Sequence, residues 1–290
     1  MIHKIILGTA QIGSNYGVNN KTGKINLSDS IELLDTAFNM GVRTLDTAET
    51  YGDALETIGI FHKKNPSKTF DIINKLDPNI NYPFDGLESH IRKYCNLLSI
   101  SKINSYMFHN YKHLQKSEYI LDELTKIKQN GLIKNIGISL YSNSEILNII
   151  NKKNSFDFIQ IPFNLLDNEL KRGNAIMQAK KAGIKIHVRS IFLQGLFMKK
   201  FSSNNIKLLP LEKYIKRIKK IADNDSIELK DLSIQYCVQK KYIDRILIGV
   251  DNQSQLIENI KSFNKKIDVN MKGIDSIDVK EEDLLNPTNW

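Results

Sequence analysis

Eight short apolar runs, separated by amphipathic stretches, restrict the folds that this chain can adopt. Most of the runs are β-branched or aliphatic through their middles and lack alternating polar residues, which is typical of strands buried on both faces of a parallel sheet. Apolar residues at helical spacing fill the stretches between them, so the sequence predicts strands alternating with helices. The predicted strands are Lys4–Leu7, Thr44–Thr47, Phe70–Asn74, Ser105–His109, Asn135–Ser139, Phe158–Pro162, Lys185–Ser190 and Arg245–Val250.

Residues that favour helix ends support the helix predictions. Ser28 is expected to cap the N-terminus of a helix over Asp29–Met40, and Gly41 is expected to follow its end. Gly131 and Gly183 likewise follow two other helical patterns and precede the next strand. The remaining predicted helices are Asp85–Leu98, Ser117–Asn130, Ser144–Asn151, Glu169–Ala182, Leu211–Asp223, Leu229–Gln239 and Ser254–Phe263.

Two α/β architectures accommodate this alternation, namely a closed (β/α)8 TIM barrel and an open doubly wound sheet. A doubly wound dinucleotide-binding domain needs Gly-x-Gly-x-x-Gly directly after a strand. Gly8 and Gly13 follow the first predicted strand, but Thr-Ala-Gln-Ile lies between them, so the spacing is wrong. We therefore expect a (β/α)8 TIM barrel that forms a single domain over residues 1–290, with a polar and loosely packed tail from about residue 268.

The charge distribution and the cysteine content indicate which binding partners and which cellular compartment to expect. The chain has 41 Lys+Arg and 32 Asp+Glu, but its lysines are dispersed and form no basic block with interleaved aromatics. We therefore expect a solvated basic surface and no nucleic-acid partner. No apolar stretch is long enough to cross a bilayer, so no membrane partner is expected. Cys95 and Cys237 both lie in helical patterns, which favours a reducing, cytoplasmic setting over a disulfide framework.

Ionisable residues stand where three consecutive predicted strands end. Asp46 lies at the end of the second strand, Lys75 follows the third and His109 ends the fourth, while Tyr51 lies in the loop after the second. The active site of a (β/α)8 barrel lies at the C-terminal ends of its strands. Each of these residues is more often structural when it stands alone, but their joint placement on one rim predicts a catalytic group.

The four residue types suit the reduction of a carbonyl group. A phenol such as Tyr51 can supply a proton to the oxygen, and a nearby ammonium such as Lys75 is expected to lower its pKa. Asp46 can balance a buried Lys75, and His109 can orient the carbonyl oxygen. No metal is expected, because His109 and His113 have no carboxylate or thiol close to them in sequence.

With these residues in place, the chain resembles the aldo-keto reductase family. The Asp-x4-Tyr-Gly segment is fairly specific, and the ordered series of motifs spans most of the chain. The matching motifs are Leu45–Gly52, Asn74–Lys75, Phe108–His109, Ile136–Ser139, Ile159–Asn164 and Glu258–Asn259. The resemblance implies a (β/α)8 barrel with NADPH across its C-terminal face and a small carbonyl compound as substrate.

The resemblance also implies which residues bind the cofactor. Ser139 and Gln160 would hold the nicotinamide carboxamide, Ser190 would place the pyrophosphate, and Glu258 and Asn259 would contact the adenine. Gly8, Thr9, Asp46 and Gly249 complete the predicted cofactor contacts.

Three departures from the family pattern concern the cofactor. Leu140 follows Ser139 where the family often has Asn, so one amide contact is missing. Arg189 takes the place of a Tyr that stacks on the nicotinamide in many members, and its guanidinium can stack in the same way. Gln255 takes the place of an Arg that grips the 2′-phosphate, and Gln lacks the cationic fork. NADH therefore stands beside NADPH as a candidate cofactor.

Three functions fit these residues, and carbonyl reduction is the first of them. The segments Gly8–Val18 and Arg189–Gly195 resemble a bacterial subgroup associated with carbohydrate pathways, which suggests a keto sugar or a related metabolite. The same acid–base group would also serve a non-redox lyase or isomerase on this barrel. A nicotinamide-nucleotide-binding sensor is the third alternative. Oligomeric state is not predicted.

Overall fold

Eight parallel strands close into a barrel in sequence order, and β1 completes the ring by pairing with β8. The structure is a computed structural model that describes residues 1–17, 20, 23–82, 86–152, 155–198 and 203–290, without the side chains of 203–205. The predicted (β/α)8 barrel is confirmed. The strands are β1 (Ile5–Gly8), β2 (Thr44–Asp46), β3 (Asp71–Lys75), β4 (Ile103–Phe108), β5 (Ile133–Ser139), β6 (Phe158–Pro162), β7 (Lys185–Arg189) and β8 (Arg245–Ile248).

Helices follow the strands around the outside of the barrel. They are α1 (Ala10–Gly13), α2 (Leu27–Asn39), α3 (Ala54–Lys64), α4 (Leu87–Leu97), α5 (Tyr111–Lys116), α6 (Tyr119–Gln129), α7 (Asn143–Asn151), α8 (Glu169–Lys181), α9 (Glu212–Asn224), α10 (Leu229–Val238), α11 (Gln253–Asn264) and α12 (Met271–Asp275). Helices α1, α3, α5 and α12 were not predicted from the sequence. Asp85, the predicted start of α4, lies outside the described residues, as does Val18 of the opening motif.

The cap prediction for α2 is half right. Asn26, not Ser28, is the N-cap, because its side chain accepts the backbone N–H of Asp29 at 2.9 Å. The helix therefore begins two residues earlier than predicted. Gly41 adopts a φ of +94°, which is the left-handed conformation expected of a glycine that ends a helix.

Two apolar layers explain why the strands lack polar alternation. Ile6, Ile73, Met107 and Phe158 form a cluster of their own on strands that are not all neighbours, so they meet through the barrel interior. A larger cluster fills the space between the strands and the helices. Phe158 fits inside because Gly137 has no side chain, and a Cβ there would lie 2.2 Å from the phenyl ring.

The C-terminal segment is packed, so the prediction of a loose tail is wrong. Ile274, Ile277 and Val279 are fully buried. The side-chain amide of Asn168 donates to the carbonyls of Ile274 and Ile277, each at 2.9 Å. The apolar residues of this segment are too sparse to produce a helical or strand pattern, although each finds a place against the barrel.

Cys95 and Cys237 are both buried, unpaired and helical. Over the residues that the structure describes, no helix is long and apolar enough to cross a membrane.

Candidate active site

Three neighbouring strand ends place the predicted catalytic residues on one rim of the barrel. Asp46 is the last residue of β2, Lys75 is the last residue of β3, and His109 directly follows β4. These strands are adjacent and parallel, so their C-terminal ends lie side by side. The structure therefore brings the predicted group together.

Tyr51 is held in the tight turn that joins β2 to α3. Its backbone N–H donates to the carbonyl of Ala48 at 3.0 Å. A Cβ on Gly13 would lie 1.7 Å from the Tyr51 carbonyl, and a Cβ on Gly52 would lie 2.1 Å from the Gly13 carbonyl. Only glycines allow α1 to approach the Tyr51 turn this closely, and Gly52 also takes a φ of +50°.

Lys75 and Asp46 form a buried ion pair at the base of the site. The Nζ of Lys75 bonds Oδ1 of Asp46, and the two side chains are 4% and 3% exposed. The other carboxylate oxygen accepts Nε2 of Gln160 at 2.8 Å. Burial lowers the pKa of Lys75, and the Asp46 carboxylate opposes that shift. The ion pair therefore fixes the ammonium of Lys75 beside the Asp46 carboxylate.

The pKa of Tyr51 shifts in the direction opposite to the prediction. Burial and the Asp46 carboxylate raise it above the ordinary value, and the Arg189 guanidinium lowers it in part. The Nζ of Lys75 lies 5.3 Å from the centroid of the phenol ring. The phenol is therefore protonated at neutral pH, which is the form that can donate a proton.

His109 is a neutral neighbour of the phenol. The two ring centroids are 6.3 Å apart and the rings meet edge to face. Burial and the Lys75 ammonium lower the pKa of His109 to about 4, so its imidazole is uncharged at neutral pH. The buried Nδ1 of His109 has no hydrogen-bond partner within the described part of the chain. A neutral imidazole carries one N–H donor and one nitrogen acceptor.

A cavity of about 460 Å³ opens over this group and extends to the start of α11. Its wall contains most of the residues that the family resemblance assigns to the cofactor and the catalytic group. They are Gly8, Asp46, Tyr51, Gln160, Arg189, Ser190, Gly249, Gln255, Glu258 and Asn259.

Four predicted site residues do not line this cavity where the structure describes its wall. Lys75 and His109 contact Asp46 and Tyr51 instead. The backbone N–H and hydroxyl of Thr9 both bond the Asp46 carbonyl, so Thr9 supports β2. Ser139 is buried at the end of β5, in register with Gln160.

Fourteen residues of the described cavity wall were given no role from the sequence. Gln11 and Tyr16 belong to the opening motif, which was noted without assigning them a role. Phe192 belongs to the Arg189–Gly195 motif, whereas Lys230 and Asp251 carried no sequence signal. The fourteen include Gln11, Tyr16, Phe192, Lys230 and Asp251.

The end of β7 is strained where it borders the cavity. Ser190 and Gln194 adopt φ values of +57° and +51°, which non-glycine residues rarely take. The guanidinium carbon of Arg189 lies 4.2 Å from the centroid of the Tyr141 ring. Strain of this kind is concentrated at functional sites, which supports a ligand role for this turn.

The far end of the cavity carries more acidic than basic side chains. The side-chain amide of Gln255 turns back to Asp251, and accepts its backbone N–H at 2.9 Å. Lys230 pairs with Glu258 at 2.9 Å. The described part of the chain contains no cluster of three or more side chains that could hold a metal ion.

Comparisons with known proteins agree with this geometry. Residues 4–279 match the model of the aldo/keto reductase family. The oxidoreductase YqkF of Bacillus subtilis, itself uncharacterized, is 21% identical over 90% of each chain.

Two solved structures show the same fold. An aldo-keto reductase from Bacillus halodurans, in its holo form, has a TM-score of 0.77 at 15% identity, over 95% of this chain and 92% of the other. The glycerol dehydrogenase of Gluconobacter oxydans has a TM-score of 0.74 at 18% identity, over 94% of this chain and 90% of the other.

Proposed function

The chain belongs to the aldo/keto reductase family, and from this premise we propose that it reduces an aldehyde or ketone to the alcohol with a nicotinamide nucleotide. One observation carries the proposal: a protonated Tyr51 stands on the cavity wall, next to a buried Lys75–Asp46 ion pair and a neutral His109. A keto sugar or a related metabolite is the substrate class to test first, because of the motifs at Gly8–Val18 and Arg189–Gly195.

The lining of the cavity supports a nicotinamide nucleotide as its ligand. We assign the nicotinamide amide to Gln160, the pyrophosphate to Ser190, and the adenine to Glu258 and Asn259, all of which line the cavity. The family resemblance adds Ser139, which lies beside Gln160 at the end of β5. When bound, the cofactor supplies a hydride to the carbonyl carbon. Gln160 is already oriented, because its amide nitrogen donates to Asp46 and leaves the amide oxygen for a ligand donor.

Tyr51 is proposed to donate the proton that the carbonyl oxygen receives. Its raised pKa keeps the proton on the phenol until negative charge develops on the substrate oxygen. The cations of Lys75 and Arg189 then stabilise the phenolate that remains. Asp46 holds Lys75 in place, and an N–H of the neutral His109 orients the carbonyl oxygen.

For the cofactor, the family resemblance favours NADPH, whereas the side chains at the α11 end favour NADH. A 2′-phosphate is an anion that is usually held by an Arg fork. Gln255 supplies none and is bonded to Asp251, while Lys230 is paired with Glu258. Separate fluorescence titrations with NADH and NADPH measure the preference. We expect NADH to bind at least as tightly as NADPH, and much tighter NADPH binding would contradict this assignment.

Tyr51→Phe tests the proposed chemistry. Removal of a general acid should lower kcat by about 10²–10⁴-fold while the affinity for cofactor stays unchanged. Turnover is followed by the absorbance of the reduced cofactor, with a panel of aldehydes, ketones and keto sugars. Tyr214→Phe is the matched control, because it removes a phenol hydroxyl that bonds Glu281, far from the cavity.

Each outcome distinguishes one alternative. Unchanged turnover in Tyr51→Phe would rule out Tyr51 as the acid. Product formation without a change in cofactor absorbance would indicate a lyase or isomerase. Tight cofactor binding without reduction of any carbonyl in the panel would indicate a sensor.

A further inference from the structure

We propose that Glu49 is a positioning residue for the reaction: its buried carboxylate holds the turn that carries Tyr51 against the ends of β3 and β4. Glu49 lies between Asp46 and Tyr51 in the chain, and none of the roles assigned above includes it. The inference rests on the proposed function, since its main readout is carbonyl reduction.

The Glu49 carboxylate is surrounded by hydrogen-bond donors. Its side chain is 1% exposed. Oε1 accepts the hydroxyl of Tyr106 at 2.5 Å, and Oε2 accepts the hydroxyl of Tyr82 at 2.7 Å. Oε2 also accepts the backbone N–H of Asp77 at 3.2 Å and lies 3.1 Å from Nε2 of His90. A buried carboxylate with this many partners is fixed in one position.

These partners connect Glu49 to the strands that carry Lys75 and His109. The Tyr106 hydroxyl, on β4, also accepts the side-chain amide of Asn74 at 3.0 Å. Asn74 directly precedes Lys75 on β3. The backbone N–H of Glu49 donates to the Lys75 carbonyl at 3.0 Å. One carboxylate therefore ties the Tyr51 turn to both neighbouring strand ends.

The charge of Glu49 matters for this role. Burial and the Glu49 carboxylate raise the pKa of Tyr82 and Tyr106, so both phenols keep their protons and donate them. The groups around Glu49 thus present donors to both oxygens. The Asp77 N–H would keep the glutamine oxygen at the Oε2 position, so the NH2 would face the Tyr106 hydroxyl, which could no longer donate its hydrogen bond there. We expect the turn to shift as a result.

A small shift is sufficient to impair the reaction. Misplacement of a catalytic group by about 1 Å can cost 10²-fold in rate. Glu49 precedes Tyr51 by two residues, so movement of its side chain is passed to the phenol through the backbone. Binding of cofactor depends on other strand ends, mainly those of β6 to β8, and should be unaffected.

Glu49→Gln is the test, in the full chain. We expect kcat to fall by about 10–100-fold, while KM and the cofactor Kd change by no more than about twofold. Tyr106→Phe, which removes the Oε1 donor, should lower kcat in the same direction and serves if Glu49→Gln does not fold. Loss of kcat in both variants, with KM kept, supports positioning.

Asp157→Asn is the matched control. Asp157 is also a carboxylate with several donors, since it accepts the N–H of Ile136 at 2.8 Å and Nζ of Lys128 at 2.6 Å. It precedes β6, at the opposite end of the barrel from the site. The Asp157→Asn substitution should lower the melting temperature without lowering kcat. An unchanged kcat in Glu49→Gln, or an equal loss in Asp157→Asn, would overturn the proposal.

A second readout separates this inference from the proposed function. Amide hydrogen exchange across residues 47–52 needs no substrate, so it applies even if the chain reduces no carbonyl. Exchange there should accelerate by about tenfold or more in Glu49→Gln and stay unchanged in Asp157→Asn. Unchanged exchange in Glu49→Gln would overturn the proposal regardless of activity.

Discussion

Replacement of Asp46 by Asn would leave the Lys75 ammonium buried without a counter-charge. The Lys75 side chain is only 4% exposed, so water cannot compensate for the lost carboxylate. Removing one partner of a buried ion pair costs about 3–5 kcal/mol of unfolding free energy. For a chain of 290 residues, with roughly 2 °C for each kcal/mol, the melting temperature should fall by roughly 6–10 °C.

The pH dependence of Asp46→Asn follows from the pKa of Lys75. Burial already lowers that pKa in the native protein, and loss of Asp46 lowers it further. Between the native pKa and the unfolded value of about 10.4, the unfolded chain binds more protons than the native one. Stability therefore rises with pH across that window, by up to about 1.4 kcal/mol per pH unit. The rise should begin at a lower pH in the variant than in the parent protein.

Urea unfolding followed by circular dichroism, at a series of pH values from neutral to alkaline, measures both effects. Lys75→Met and the double variant complete a double-mutant cycle, which isolates the energy of the pair. The double variant should be more stable than Asp46→Asn, because no buried charge remains. If Asp46→Asn were as stable as the parent, with the same pH dependence, the pair would not hold the base of the site.

Two further predictions concern the barrel itself. Burial lowers the pKa of His187 to about 3, below its unfolded value. The free energy of unfolding should therefore decrease as pH falls from about 6.5 towards 3, by up to about 1.4 kcal/mol per pH unit. His187→Leu should flatten this pH dependence, and an identical pH dependence in the variant would contradict the role of His187. Gly59→Ala should destabilise the protein, because the Cβ of the new alanine would lie 1.9 Å from the Leu97 carbonyl. This clash should outweigh the gain of about 1 kcal/mol that Ala brings to a helix. A stabilised variant would contradict the predicted clash.

Local patterns in the sequence were enough to predict the barrel strands. Residues of β6, Phe158–Pro162, are all buried, and the predicted bounds are the observed ones. Strands of this kind are apolar throughout because one face meets the barrel interior and the other meets the helices. Helices were predicted less completely. The 11-residue α3 was missed, because it follows the Tyr51 turn so directly that the motif obscured its apolar spacing.

The order of the strands does not predict the direction in which the pKa of Tyr51 shifts. Its position on the rim follows from the motif, but the direction of its pKa shift depends on burial and on charges from β2 and β7. The packed C-terminal segment is a similar case, since Ile274 and Ile277 are buried only because the barrel offers Asn168 and a complementary surface.

The alternation of strands and helices and the order of the residues at the strand ends can both be read from the amino-acid sequence. Both are properties of neighbouring residues, which repeat with the period of the element that they form. Which polar groups meet depends on the folded barrel, because those contacts join positions that are distant in the chain. Gln160 reaches Asp46 across 114 residues, and Tyr106 reaches Glu49 across 57. Burial and hydrogen bonding at such contacts set the charge and the position of each group in the site.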